Sequence, residues 1–302
     1  MTKAQICIMI SIVVYLVSMV MIGVIYSKKT KNVGDFYLGG RKLGPLVTAM
    51  SAEASDMSSY LLMGLPGLAL VSGLAEVGWT VIGLAIGTYL NWLIVAKKLR
   101  KYSARINAIT IPDYFSKRYK DNSRLIMAVA ALMIIIFFVP YTASGFAACG
   151  KLFGTLFGID YHIAMVVSAI VIVGYTSLGG FNAASMTDFI QSIIMTAALI
   201  IVLVFGVNKA GGMEQVIANA NDLAGYLDVF KGYDAATNSA GSFGAIKVVS
   251  TLAWGLGYFG MPHILLRFMA IENPNKVKIS RRVAEIWVVI SMAVAVLIGV
   301  VG

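Results

Sequence analysis

SAEASDMSSYLLMGLPG, residues 51–67, lies in an apolar stretch of bilayer-crossing length, yet it does not suit lipid. On a continuous helix at about 100° per residue, Ser51, Ser55 and Ser58 share one face, and Glu53, Asp56 and Tyr60 share the opposite one. Neither face is comfortable against hydrocarbon, where charged groups are costly. Two carboxylates one turn apart also repel, and a cation, a partner or a proton would relieve that. Gly64, Pro66 and Gly67 follow at once and weaken the helix in mid-membrane. Unwound backbone at that depth is tolerated only where protein, water or an ion satisfies its carbonyls. The serines alone are equally well read as interhelical glue. With carboxylates and a helix break added, an ion or solute site is the better reading.

The rest of the 302-residue chain places this stretch in a polytopic membrane protein. Hydrophobic residues make up 59% and charged residues only 13%, against about 25% charged in soluble domains. That balance excludes an ordinary soluble enzyme, a disordered chain and a disulfide scaffold. Cys7 and Cys149 match no metal spacing and no disulfide framework. Eight apolar stretches approach the length a spanning helix needs, near 4–26, 45–70, 74–96, 125–150, 161–178, 187–207, 245–266 and 284–302. The first is retained rather than cleaved, because it is too long for a signal-peptide core and has no small-residue cleavage site. The net charge of +10 follows from topology. All but Lys3, Lys151, Lys209, Lys231 and Lys247 of the 24 Lys and Arg fall in the first, third and seventh connections. The positive-inside rule puts those connections in the cytoplasm and the N-terminus outside. Nucleic acid is not an expected partner. The basic loops are expected to touch lipid headgroups unspecifically. The sixth connection, about 208–244, reads as a solvated linker with a short helix near 213–223. The chain ends inside an apolar run, SMAVAVLIGVVG, which reads as a truncation after about eight helices.

A second interrupted span runs Trp254-Gly-Leu-Gly-Tyr258-Phe-Gly-Met-Pro262. Trp254 and Tyr258 are four apart and are expected to face the same way, either as a platform for a small organic solute or as an aromatic pair buried between helices. His263 reads as structural. The interruptions fall in the second and seventh spans, five helices apart, so the crossing direction reverses between them. Paired broken helices of that kind are the sequence mark of a secondary-transporter site built from inverted repeats. Weaker candidates are Tyr141, after Pro140, and Asp188, either an N-terminal helix carboxylate or an ion-path residue. Gly83 and Gly87 form a GxxxG for packing. No P-loop, HExxH, CxxC or Gly-rich nucleotide fingerprint occurs, so neither catalysis nor ATP-driven transport is expected, and transport would run on an ion gradient.

FYLGGRKLGPLVTAMSAEASDMSSYLLMGLPG at 36–67, TIPDYFSKRY at 110–119, SLGGFNAASMTDFIQ at 177–191 and WGLGYFGMPHILLRFMAI at 254–271 together resemble the sodium/solute symporter family, and within it the proline-carrying branch. The resemblance implies an all-α, leucine-transporter-like fold of two inverted five-helix repeats after one extra helix. The extra helix would be 4–26, the first repeat about 45–207, and the second would begin over 245–302. It implies Na+ as coupling ion, held by backbone oxygens of Ala54 and Met57, with Asp56 required for sodium-dependent transport and Ser58 beside it. It links Arg41 to sodium coupling and Asp188 to the inner sodium route. It associates Ser58, Tyr141, Trp254, Tyr258 and Pro262 with proline. Glu53, Ser59-Tyr60 and Met261 depart from the family pattern, where glycine, Gly-Trp and glutamine are expected. The function the resemblance implies is sodium-driven symport of L-proline across the cell inner membrane. The alternatives are another solute (a betaine, another amino acid or a carboxylate) or the membrane sensor of a signalling protein.

Overall fold

A computed structural model describes residues 2–28 and 30–302. Lys29, one of the basic residues of the first connection, lies outside them. Among the described residues five helices are long and apolar enough to cross a membrane. Two of these are of double length, Pro45–Arg105 and Tyr161–Lys209, and each contains a left-handed glycine. Gly73 (φ 67°, ψ −167°) and Gly180 (φ 63°, ψ −158°) adopt angles that a side chain makes costly, and both are packed closely. A Cβ at Gly73 would lie 2.7 Å from the Tyr226 carbonyl oxygen, and one at Gly180 would lie 3.0 Å from that of Phe36. Divided there, the helices reproduce the second, third, fifth and sixth stretches of the sequence reading. The sixth begins earlier than expected, at the glycine rather than near 187.

The chain separates into two compact units. The first comprises residues 1–51, 99–189 and 266–274. Its first helix, α1 (Lys3–Ser27), starts at a reciprocal cap in which Thr2 Oγ1 accepts from the Gln5 amide and Gln5 Oε1 accepts from the Thr2 amide. Gly23 lets α1 approach the Tyr175 carbonyl, while its Val13, Val14 and Val17 face outward, as lipid-facing residues do. Next come the short α2 (Val33–Leu38), capped by Asn32, and the first turns of α3 (Pro45–Ser59). Beyond α4 (Leu65–Asn91) and α5 (Lys97–Arg105), α6 (Ile111–Arg118) is opened by Thr110, which accepts from the Asp113 amide. The 33-residue α7 (Leu125–Phe157) carries Pro140 inside it, and α8 (Tyr161–Lys209) follows.

The second unit comprises residues 52–98, 190–265 and 275–302. Here α4 packs along α12 (Val277–Val301), where Gly299 meets the Pro66 carbonyl with no room for a Cβ. The sixth connection holds α9 (Met213–Asn221), close to the expected helix, and an unexpected hairpin, β1 (Lys231–Asp234) with β2 (Ser239–Ser242). It is more than a solvated linker. The buried Tyr226 donates its hydroxyl to the Ala69 carbonyl (2.9 Å) and accepts the Leu74 amide on its own carbonyl (2.8 Å). The Trp79 indole N–H donates to Val229 O (2.8 Å). Hydropathy hid this because the contacts fall on backbone carbonyls, which any sequence carries. The seventh stretch is α10 (Ala245–Leu252), a 3-10 segment over Ala253–Gly260, and α11 (Pro262–Ala270).

Candidate functional site

The break in the second span falls at Ser58, not at the glycines and proline downstream. Ser58 has φ 48° and ψ −151°, a strained backbone for a residue with a Cβ. It therefore leaves the serine face read for a continuous helix. Pro66 is absorbed differently. Its ring and missing N–H act on the preceding turn, which widens to a π-turn over Tyr60–Gly64, with the Leu65 amide donating to the Tyr60 carbonyl.

In the second unit, Ala52, Glu53, Ala54 and Met57 before this break are buried, and Ser55 and Asp56 are partly so. Ala54 and Met57, the expected sodium ligands, lie in the turn ahead of Ser58. Glu53 is 1% exposed, and its Oε1 accepts from the Trp92 indole N–H (2.9 Å). The Asp56 Oδ1 stands 3.5 Å from His263 Nε2, and its carboxylate hydrogen-bonds the Tyr258 side chain. The two carboxylates thus take separate partners. His263, expected to be structural rather than catalytic, is a direct neighbour of Asp56.

The expectation that Trp254 and Tyr258 face the same way is overturned. Ala253–Gly260 is a 3-10 helix, so residues four apart point about 120° away from each other. Tyr258 is 4% exposed, and its carbonyl accepts from Asn91 Nδ2 (2.8 Å), while Trp254 is 52% exposed with its ring edge-on to Tyr60 (5.3 Å between centroids). Pro262 opens α11, where a missing N–H costs nothing. The segment approaches α4 through Gly83 and Gly87, the small-residue pair read for packing. A Cβ on Gly87 would lie 2.3 Å from Gly255 O.

The first unit gathers a second polar group. Asp188 does not open its helix. It lies two turns past Gly180, where Oδ2 accepts from Ser51 Oγ (2.8 Å) and from Arg267 Nη2 (2.6 Å). The Arg267 Nε donates in turn to Ser51 Oγ (2.6 Å), closing a triangle, and its guanidinium lies 5.7 Å from the Phe181 ring centre. Arg267 was counted with the basic loop residues. It is 6% exposed instead, because α11 carries it past the expected end of the span. Arg41 donates to Ser103 Oγ (3.0 Å), Met269 O (2.7 Å), Ser103 O (3.1 Å) and Ala108 O (2.6 Å). Burial first, and the Arg100 guanidinium second, lower its pKa below the ordinary arginine range. Beside it Leu43 forms a parallel backbone bridge with Ile271. Tyr141 also belongs to this unit, half-buried on α7 with its ring 5.5 Å from that of Phe138.

Apart from the β1–β2 hairpin, which the all-α expectation did not include, the chain is helical, a multi-pass membrane protein with a leucine-transporter-like fold. The fold is that of a solved structure, the substrate-bound outward-open state of a Na+-coupled sialic acid symporter, with a TM-score of 0.77 at 19% identity over 95% of this chain and 59% of that one. The chain belongs to the sodium:solute symporter family, whose model matches residues 36–302. It is 43% identical over 297 residues to the osmoregulated proline transporter OpuE of Bacillus subtilis, and 40% identical over 296 residues to the sodium/proline symporter of Escherichia coli. These alignments cover 98% and 97% of this chain but 58% and 57% of those relatives, so the chain spans a little over half their length.

Proposed function

We propose that this chain serves sodium-coupled symport of a small solute, L-proline first, into the cell by alternating access across the inner membrane, with the N-terminus outside. In this reading the first inverted repeat covers about 45–207 and the second begins at about 245. The observation that carries it is the break at Ser58. It lies within two residues of the buried Met57 and of Asp56, whose carboxylate meets Tyr258 and His263 from the second broken span. Carbonyl, hydroxyl and carboxylate oxygens are what a hard cation such as Na+ takes. The names of the relatives above support proline as the solute. Proline's carboxylate suits a helix N-terminus such as that of α11 at Pro262, and its ring suits the exposed Trp254 indole. Each Na+ moved inward releases about 2.3 kcal/mol per 100 mV, enough for a gradient of about 50-fold.

Two substitutions test the reading in proteoliposomes. Asp56→Ala is expected to abolish sodium-stimulated proline uptake while leaving membrane insertion intact. Uptake with normal sodium dependence would overturn the role of Asp56. Trp254→Ala is expected to raise the proline KM by roughly 2- to 10-fold, the worth of one aromatic contact, with a smaller change in apparent sodium affinity. An unchanged proline KM would remove Trp254 from the solute site.

A further inference from the structure

We propose that the cavity at the basic end of α1 is a specific headgroup site for an anionic phospholipid. It encloses about 460 Å3, within the range of about 300–1,000 Å3 usual for small-molecule sites. Its lining includes Tyr26, Lys31, Asp35, Lys42, Asn182 and Met186, all in the first unit.

Three observations select the ligand. The first is charge. Among the described residues no ion pair joins Lys31 or Lys42 to a carboxylate. The one acid in the lining, Asp35, turns its Oδ2 to the Lys31 backbone amide (3.2 Å), so it orders the loop. Two ammonium groups against one committed carboxylate leave a net positive pocket, and the Asn182 amide adds a neutral donor. Those groups suit the non-bridging oxygens of a phosphodiester. The second is depth. Tyr26 is the penultimate residue of α1, where the apolar run gives way to Lys28, the level at which tyrosines meet a membrane interface. The third is the apolar surface on the two helices that carry Tyr26 and Asp35. Met21, Val24 and Ile25 on α1 are exposed, as are Val33 and Tyr37 on α2. A free phosphate has no use for that apolar surface, whereas the acyl chains of a lipid cover it. Basic pockets between spanning helices are known headgroup sites.

The test is native mass spectrometry of the intact protein in detergent. It is offered equimolar phosphatidylglycerol and phosphatidylcholine of the same chain length, with inorganic phosphate in a separate arm. Phosphatidylglycerol is expected to be retained in preference to phosphatidylcholine. The variant Lys31→Gln/Lys42→Gln is expected to weaken that retention roughly 30-fold, at about fivefold per lysine. Lys97→Gln/Lys98→Gln, two exposed lysines that do not line this cavity, is expected to change it less than twofold. All four lysines are exposed, so the variants fold. Equal retention of the two lipids, or an equal loss in both variants, would overturn the proposal. Competition by millimolar inorganic phosphate that displaces the lipid outright would reassign the cavity to free phosphate and overturn it as well. Transport enters none of these readouts.

Discussion

Asp188→Leu is expected to lower the stability of the detergent-solubilised protein by about 3–5 kcal/mol, the cost of leaving one member of a buried ion pair unmatched. Arg267 would keep its charge with its guanidinium 8% exposed, having lost the carboxylate at 2.6 Å and the geometry that orients Ser51. A loss of that size is a large share of the roughly 5–15 kcal/mol that holds a folded protein together. The double variant Asp188→Leu/Arg267→Met removes both charges and is expected to recover most of the loss, since apolar replacement of a whole buried pair is often neutral. Thermal unfolding followed by size-exclusion chromatography reads both variants. A double variant no more stable than the single would mean that the pair is not the source of the effect. The same double variant, reconstituted, separates folding from transport. Normal stability with lost sodium stimulation would give Asp188 a part in the ion route, and normal transport would leave it a structural one.

Gly255→Val is expected to be nearly as damaging, for a steric reason. Its Cβ would sit 1.9 Å from the Gly83 carbonyl oxygen, and on the facing helix a Cβ at Gly83 would sit 2.5 Å from Leu252 O. Both obstacles are backbone, so neither can swing aside, and α4 must separate from the segment that carries Trp254 and Tyr258. Overpacking of this kind costs about 1–3 kcal/mol where side chains can yield, and more where they cannot. Gly78→Ala is the control on the same helix, because a Cβ there meets nothing within 4 Å. It is expected to leave the melting temperature unchanged. Equal tolerance of the two substitutions would show that the close approach of α4 to this segment is dispensable.

The eight apolar stretches were readable because hydropathy sums over a whole span, and each recurs as helical segments, though the second is broken at Ser58 and the seventh is split by a 3-10 segment. The glycines that divide the double-length helices were less readable. Gly73 and Gly180 differ from neighbours such as Gly78 and Gly174 only in their backbone angles and in what packs against them. The break at Ser58 had no signal in residue type, since serine is neither a helix breaker nor free of strain at φ 48°. The residue types that weaken a helix, Gly64, Pro66 and Gly67, lie downstream of the break, where a π-turn accommodates the proline. The facing of Trp254 and Tyr258 failed because a period of 3.6 was assumed where the segment has a period of 3. Arg267 was hidden by its sequence position beside a basic loop. Its signal was that α11 stays apolar through Met269 and Ala270 beyond it, so the arginine had to be inside and matched by an acid. Glu53 stood out from the family pattern, but its partner Trp92, 39 residues away, could come only from the fold.

The bridge between Leu43 and Ile271 has a mechanical consequence. The strand-like step leading into α3 and the one leaving α11 share two main-chain bonds, from the Leu43 amide to Ala270 O and from the Glu272 amide to Leu43 O. Arg41 and Arg100 clamp the same four-residue stretch through the carbonyls of Met269, Ile271 and Glu272. Main-chain bonds and two arginine clamps therefore fasten the start of α3 to the end of α11, so neither can shift without breaking several hydrogen bonds at once.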